Sequence, residues 1–142
     1  MKKMYALIAI ATVAVLVGAN CRHPGRSLEK RAEWITEKID SKLDLNSSQK
    51  QELDQIRNEL VAKVKSNKPQ MEQIATEFET LVRADSMDKS KLKDLQKRRD
   101  AIHAEMESLM LDKIVKFHAV LKPEQRAKAA DSIKDLREHF MK

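Results

Sequence analysis

Few residues in this chain have side chains able to hold or transform a ligand. Its four histidines are His23, His103, His118 and His139. His103 and Glu107 are four apart, so a helix would set both on one side, where an imidazole nitrogen and a carboxylate can share a metal ion. No dense cluster of further His, Met or Cys surrounds them, and a solvated or lightly paired histidine is the plainer reading at each position. Cys21 is the sole cysteine, which rules out an intrachain disulfide and a paired-thiol site. There is no Gly-rich phosphate loop and no serine with an obvious His and Asp setting. Neither an enzyme nor a need for a cofactor is expected.

Binding chemistry is better represented. Lys89, Lys91, Lys93, Lys97, Arg98 and Arg99 crowd one stretch, interleaved with Asp88, Asp94 and Asp100. A solvated helix face explains such a run. A rim that attracts acidic segments of a partner is the sharper reading, with Lys97, Arg98 and Arg99 at its centre, since charge raises encounter rates more than final affinity. Methionine is unbranched and polarizable and adapts to varied partners. Met71, Met87, Met106 and Met110 could therefore form an apolar floor, although core packing is the commoner use of any one of them.

These residues must be positioned by helices. From Arg26 to Lys142 there is no glycine, and the only prolines are Pro69 and Pro123. Strands and hairpins need more turn chemistry than that, and Ala, Leu, Lys, Glu, Gln, Met and Arg, the good helix formers, dominate. The fold class is all-α. Ser27 opens a first helix with Leu28, Ala32, Ile35, Ile39 and Leu43 as one apolar stripe. Trp34 lies beside that stripe, where the edge of a core is preferred over an exposed aromatic contact. Asn46 caps a second helix with Gln49 at N3, a capping box, and Leu53, Ile56, Leu60 and Val64 as its stripe. "KSNKP" is expected to end that helix and Pro69 to begin another, carrying Met71, Ile74, Phe78, Leu81 and Val82. Residues 89 to about 120 make a rod of roughly 48 Å. Pro123 suits the first position of the last helix, with Gln125 again at N3, although Lys122 has no acceptor with which to cap it.

The rod carries Leu92, Leu95, Ile102, Met106, Leu109, Ile114 and Phe117 at near-heptad spacing, with Arg99 and Lys113 where apolar side chains are expected. So long a stripe predicts a seam with a second copy of the chain, formed around Leu95, Ile102, Met106 and Leu109.

Residues 1–20 read as a cleaved export signal: Lys2 and Lys3, then an apolar run to Val17, then small or turn-forming residues. That run is short of the ~20 residues a retained transmembrane helix needs. Two processing routes fit. Val17 and Ala19 suit ordinary cleavage after Ala19, while Cys21 stands where a lipoprotein cysteine would take a lipid anchor, behind a loose match in Gly18, Ala19 and Asn20. Residues 21–27 would then be a short tether and 28–142 one helical domain. The leader holds two of the 28 basic residues and none of the 22 acids, leaving the rest at +4 with histidine neutral. That is too mild for a nucleic-acid footprint.

Two helix starts share one pattern. Leu45-Asn46-Ser47-Ser48-Gln49 and Leu121-Lys122-Pro123-Glu124-Gln125 resemble the paired Leu-Thr-x-x-Gln motifs of the Spy/CpxP family of periplasmic stress proteins. Leader, helix order and motif spacing resemble that family over residues 28–140. Both motif threonines are replaced, by Asn46, which keeps the capping physics, and by Lys122, which does not. The resemblance implies a thin, curved, four-helix cradle, an antiparallel homodimer, and periplasmic location. It also implies ATP-independent binding of unfolded or partly folded proteins, dampening of envelope-stress signalling through a membrane sensor, or, as the alternative, heavy-metal sensing.

Overall fold

The computed structural model describes residues 27–140, apart from the side chains of Leu136, His139 and Phe140. The export signal and residues 21–26 of the tether, Cys21 and His23 among them, lie outside the described residues. Four helices follow in order, with no strand among the described residues: α1 (Leu28–Leu43), α2 (Ser47–Arg83), α3 (Lys89–Val120) and α4 (Pro123–Phe140). The fold is all-α, as the composition requires.

Three of the four helices, α1 to α3, begin where an N-cap side chain supplies an acceptor for orphan backbone amides. The Ser27 hydroxyl accepts from the Lys30 amide at 3.3 Å. Asp88 Oδ1 accepts from the amides of Ser90 and Lys91 at 2.8 and 3.2 Å. Helix α1 ends on Asp44, whose φ of 52° is left-handed. Asp tolerates this region better than most non-glycine residues. Its amide closes on the Asp40 carbonyl at 2.9 Å, and the chain turns within three residues to start α2.

Pro69 does not break the chain into two helices as expected. It lies inside α2, which runs unbroken for 37 residues, roughly 55 Å. The proline removes the hydrogen bond to the Lys65 carbonyl. Both residues are exposed, so water can replace the missing donor.

This continuity changes the reading of the rod. Helix α3 lies antiparallel to α2, its own chain's long helix, as the ion pairs Lys63–Glu105 (2.7 Å), Lys116–Glu52 (2.6 Å) and Arg98–Glu77 (2.6 Å) show. Leu95 and Met106 are buried and Ile102 and Leu109 half-buried within one chain. The residues expected to face a second copy are thus covered intramolecularly, because α2 is long enough to cover them. Lys113, an irregularity in the stripe, pairs with Glu59 of α2. Its long apolar stem can pack while its ammonium reaches the carboxylate.

Helix α1 lies antiparallel to α2 on another side, tied by Asp40–Lys50 at 2.9 Å and by Glu29–Lys65. Helix α4 packs against α1. Two apolar clusters hold the layer. Leu43, Leu45, Leu53 and Leu121 pack with Ile39, Phe117 and Ala129. Ile56, Leu60, Met106 and Met110 pack with Val64, Leu109 and Phe117. Burying each leucine is worth about 1.5–3 kcal/mol. The layer is thin: no large side chain is fully buried among the described residues.

Candidate functional site

The four helix ends at the motifs converge on two glutamines. The Asn46 side chain accepts from the Gln49 amide at 2.9 Å, and Gln49 Oε1 accepts from the Asn46 amide at 3.0 Å. The capping box predicted there is complete. At the second motif Gln125 Oε1 accepts from the Lys122 amide at 2.9 Å. Lys122 supplies no reciprocal cap, and Pro123 at the first position has no amide hydrogen to satisfy.

Each glutamine also does a second job. Gln49 Nε2 donates to Gln125 Oε1 at 2.8 Å, and Gln125 Nε2 donates to Gln49 Oε1 at 3.0 Å. Gln49 Nε2 donates further to the Val120 carbonyl at 2.7 Å. Gln125 Nε2 donates to the carbonyls of Leu43 and Asp44 at 3.1 and 3.2 Å. Two side-chain amides therefore satisfy backbone groups at the end of α1, the start of α2, the end of α3 and the start of α4. Both are buried, at 4% and 5% exposure, and a buried amide is tolerable only when so fully bonded. Leu45 and Leu121, the leading motif residues, are both buried in the adjoining cluster. Lys128 pairs with Asp44 across the same junction and holds the Asp44 carboxyl below its usual range.

The sequence assigned Gln49 and Gln125 a capping role alone and missed their mutual pairing. The signal was present in the repeated pattern: two amides at the same place in two helix starts are the same distance from their caps, so they can meet symmetrically once the helices are brought side by side.

The other nominated residues do not form one site. Met106 and Met110 are core residues, 6% and 3% exposed, not a floor open to a partner. Met71 is half-buried on α2. Arg98 is held by Glu77 through two bonds of 2.6 and 3.0 Å. The hydrogen bonds and charge of this pair raise the arginine pKa and lower that of Glu77. Arg99 pairs with its neighbour Asp100 at 2.9 Å, and Lys97 is exposed. Of the basic rim, Arg98 is a structural tie between α2 and α3.

Trp34 is not at a core edge: it is 48% exposed, with Lys38 Nζ 5.8 Å from its ring centre. His103 and Glu107 are both exposed on α3. Among the described residues no group of three or more His, Cys, Asp or Glu side chains could hold a metal ion.

Apolar surface is found elsewhere. Leu111, Ile114 and Val115 are exposed on α3, and Phe78, Val82 and Met87 near the α2–α3 turn. A groove of about 130 Å³ runs between α1 and α3 over α2, lined by residues that include Ile35, Ile39, Val61 and Ile114.

Antiparallel helices, closed by paired Leu-x-x-x-Gln helix starts and leaving apolar residues open, define a class of small all-helical proteins. Residues 31–132 match the family model described as LTXXQ motif family protein. The chain belongs to this family, that of the Spy/CpxP-like periplasmic proteins, and the resemblance read from its motifs is borne out. The family is typically periplasmic, and no helix among the described residues is long and apolar enough to cross a membrane. No curated protein and no solved structure matches the chain.

Proposed function

We propose that this chain is an exported, ATP-independent chaperone or envelope-stress adaptor that binds unfolded or partly folded proteins in the periplasm, without catalysis. Family membership makes a periplasmic stress-related or metal-related adaptor the starting point. The observation that carries the finer reading is the open apolar surface on a layer too thin to bury it. Leu111 and Val115 are 43% and 69% exposed one helical turn apart, and Phe78 and Val82 are 45% and 56% exposed in the same relation. Isolated exposed apolar residues are ordinary, but paired ones at helical spacing make contact surface. They are bordered by charged residues such as Asp112, Lys116, Glu79 and Arg83, which suits weak, repeated capture of varied segments.

The client surface is then formed by the exposed residues of α3 and the α2–α3 turn, and not by the buried Met106 and Met110. Self-association is part of the proposal and is checked by sedimentation at several concentrations. Attachment through Cys21 is checked by mass spectrometry of the mature N-terminus. The central test is aggregation of an unfolding model protein with and without the chain, in the absence of ATP. Suppression at near-stoichiometric ratio is expected. No suppression at a several-fold excess would remove the chaperone reading and leave adaptor functions.

A further inference from the structure

Helix α1 divides its charges by side. At ~100° per residue, Glu29, Glu33, Glu37 and Asp40 fall within a sector of roughly 80°. Lys30, Trp34, Lys38 and Lys42 fall within another of roughly 120°. The apolar stripe of Leu28, Ala32, Ile35, Ile39 and Leu43 lies between them on the buried side. The inner edge of the acidic sector meets α2, where Glu29 and Asp40 are taken up by Lys65 and Lys50, while Glu33 and Glu37 stay exposed. The three lysines of the second sector are exposed. None of them is in an ion pair among the described residues, and Lys38 lies over the Trp34 ring. Arg31, half-buried and itself engaged, falls within this sector between Lys38 and Lys42. A helix with no net charge of its own thus carries an excess of base outward, three exposed lysines against Glu33 and Glu37, because its partner helix neutralises the other two acids.

From this segregation we infer that the outer side of α1, formed by Lys30, Trp34, Lys38 and Lys42, docks on an anionic lipid surface. The inference goes beyond client binding and does not depend on it. Tryptophan combines an apolar ring body with a polar N–H and suits the boundary between headgroups and acyl chains. Lysine stems lie along apolar surface while their ammonium groups reach phosphate. The four residues follow one another at four-residue intervals over roughly 18 Å of helix, a line that meets a flat surface better than a concave one. Each lysine near an anionic leaflet changes partitioning by roughly fivefold, so three make a reversible contact.

Trp34 is the only tryptophan in the chain, so its fluorescence reports this contact directly. The full chain is mixed with vesicles of phosphatidylcholine alone or of phosphatidylcholine with phosphatidylglycerol. Any attachment through residues 1–26 that does not depend on lipid charge is common to both. The expected result is a blue shift of Trp34 emission, with protection from acrylamide, on the phosphatidylglycerol vesicles alone, reversed by added salt. Combining Lys30→Glu, Lys38→Glu and Lys42→Glu should abolish the shift while circular dichroism stays unchanged. Equal emission on the two vesicle types overturns the inference, as does a shift that survives the triple substitution. A shift produced by an acidic polypeptide or by raising protein concentration, but not by vesicles, assigns this side of α1 to a protein contact instead.

Discussion

Gln49 and Gln125, 76 positions apart, each donate a side-chain hydrogen bond to the other's carbonyl oxygen, at 2.8 and 3.0 Å. Removing one of them takes the mutual bonds from the other and strands the backbone groups it held, the Val120 carbonyl for Gln49 or the Leu43 and Asp44 carbonyls for Gln125, which costs about 1–3 kcal/mol. Gln49→Ala and Gln125→Ala should each lower the unfolding free energy, measured by urea titration, by that much. The double variant should lose clearly less than the two losses added, because the mutual bonds are counted in both single losses but can be lost only once. Strict additivity would show that the two amides act as separate caps.

Pro69 gives the opposite sign. A proline in a helix interior costs ~3 kcal/mol, while it restricts the unfolded chain by a smaller ~0.4–1 kcal/mol. Position 69 is exposed, so an alanine there disturbs no packing. Pro69→Ala should stabilise the protein by about 2 kcal/mol. An unchanged or lowered melting temperature would mean that α2 needs the proline to follow α3.

Acid should weaken the layer in a defined direction. Lysine and arginine partners hold Glu29, Asp44, Glu59 and Glu77 below their ordinary values, Glu29 down to about 2 through its hydrogen bond with Lys65. A carboxylate depressed in the folded state contributes fully above its unfolded pKa, here the ordinary 4.5 of a glutamate, and the contribution is lost as pH falls through the folded value. Urea midpoints should therefore be level above that point and decline below it. In Glu77→Gln the decline should be shallower, with lower stability at neutral pH.

Binding and stability should separate along α3. Val115 is 69% exposed and Met110 3%. Val115→Asp should shift stability by less than about 0.5 kcal/mol yet weaken suppression of client aggregation. Met110→Ala opens a cavity between α2 and α3 and should cost about 2–5 kcal/mol, with aggregation suppression kept at temperatures where the variant is folded. The reverse pattern would return the client surface to the buried methionines.

Much of this architecture was legible because it is local. The stripe of α1, the Asn46 box and the limits of α3 depend on residues within a few positions of each other, and each formed as expected. Pro69 misled because "KSNKP" carries the local grammar of a helix end, while the cost of continuing is offset by tertiary packing against α3 on the other face. The amide pairing was invisible to periodicity, which cannot register a contact between residues so far apart. The places of Met106, Met110 and Arg98 are illegible in the sequence for a related reason. Their side chains suit either a core or a surface, and what decides is the antiparallel register of α2 and α3, which only the folded chain specifies.

That register also spreads the molecule's cohesion unevenly. The glutamine junction and the leucine cluster sit together at one end, and the second cluster lies next to them. Toward the α2–α3 turn only Ile74 and Leu95 are buried, with the Arg98–Glu77 pair beside them. Opening should thus be graded along the layer, since local unfolding follows buried apolar contact. Amide hydrogens around residues 80–90 should exchange with solvent long before those near Leu53 and Leu121. A chain captured near Phe78 and Val82 would meet the yielding end of a clamp whose jaw is fastened at the far end.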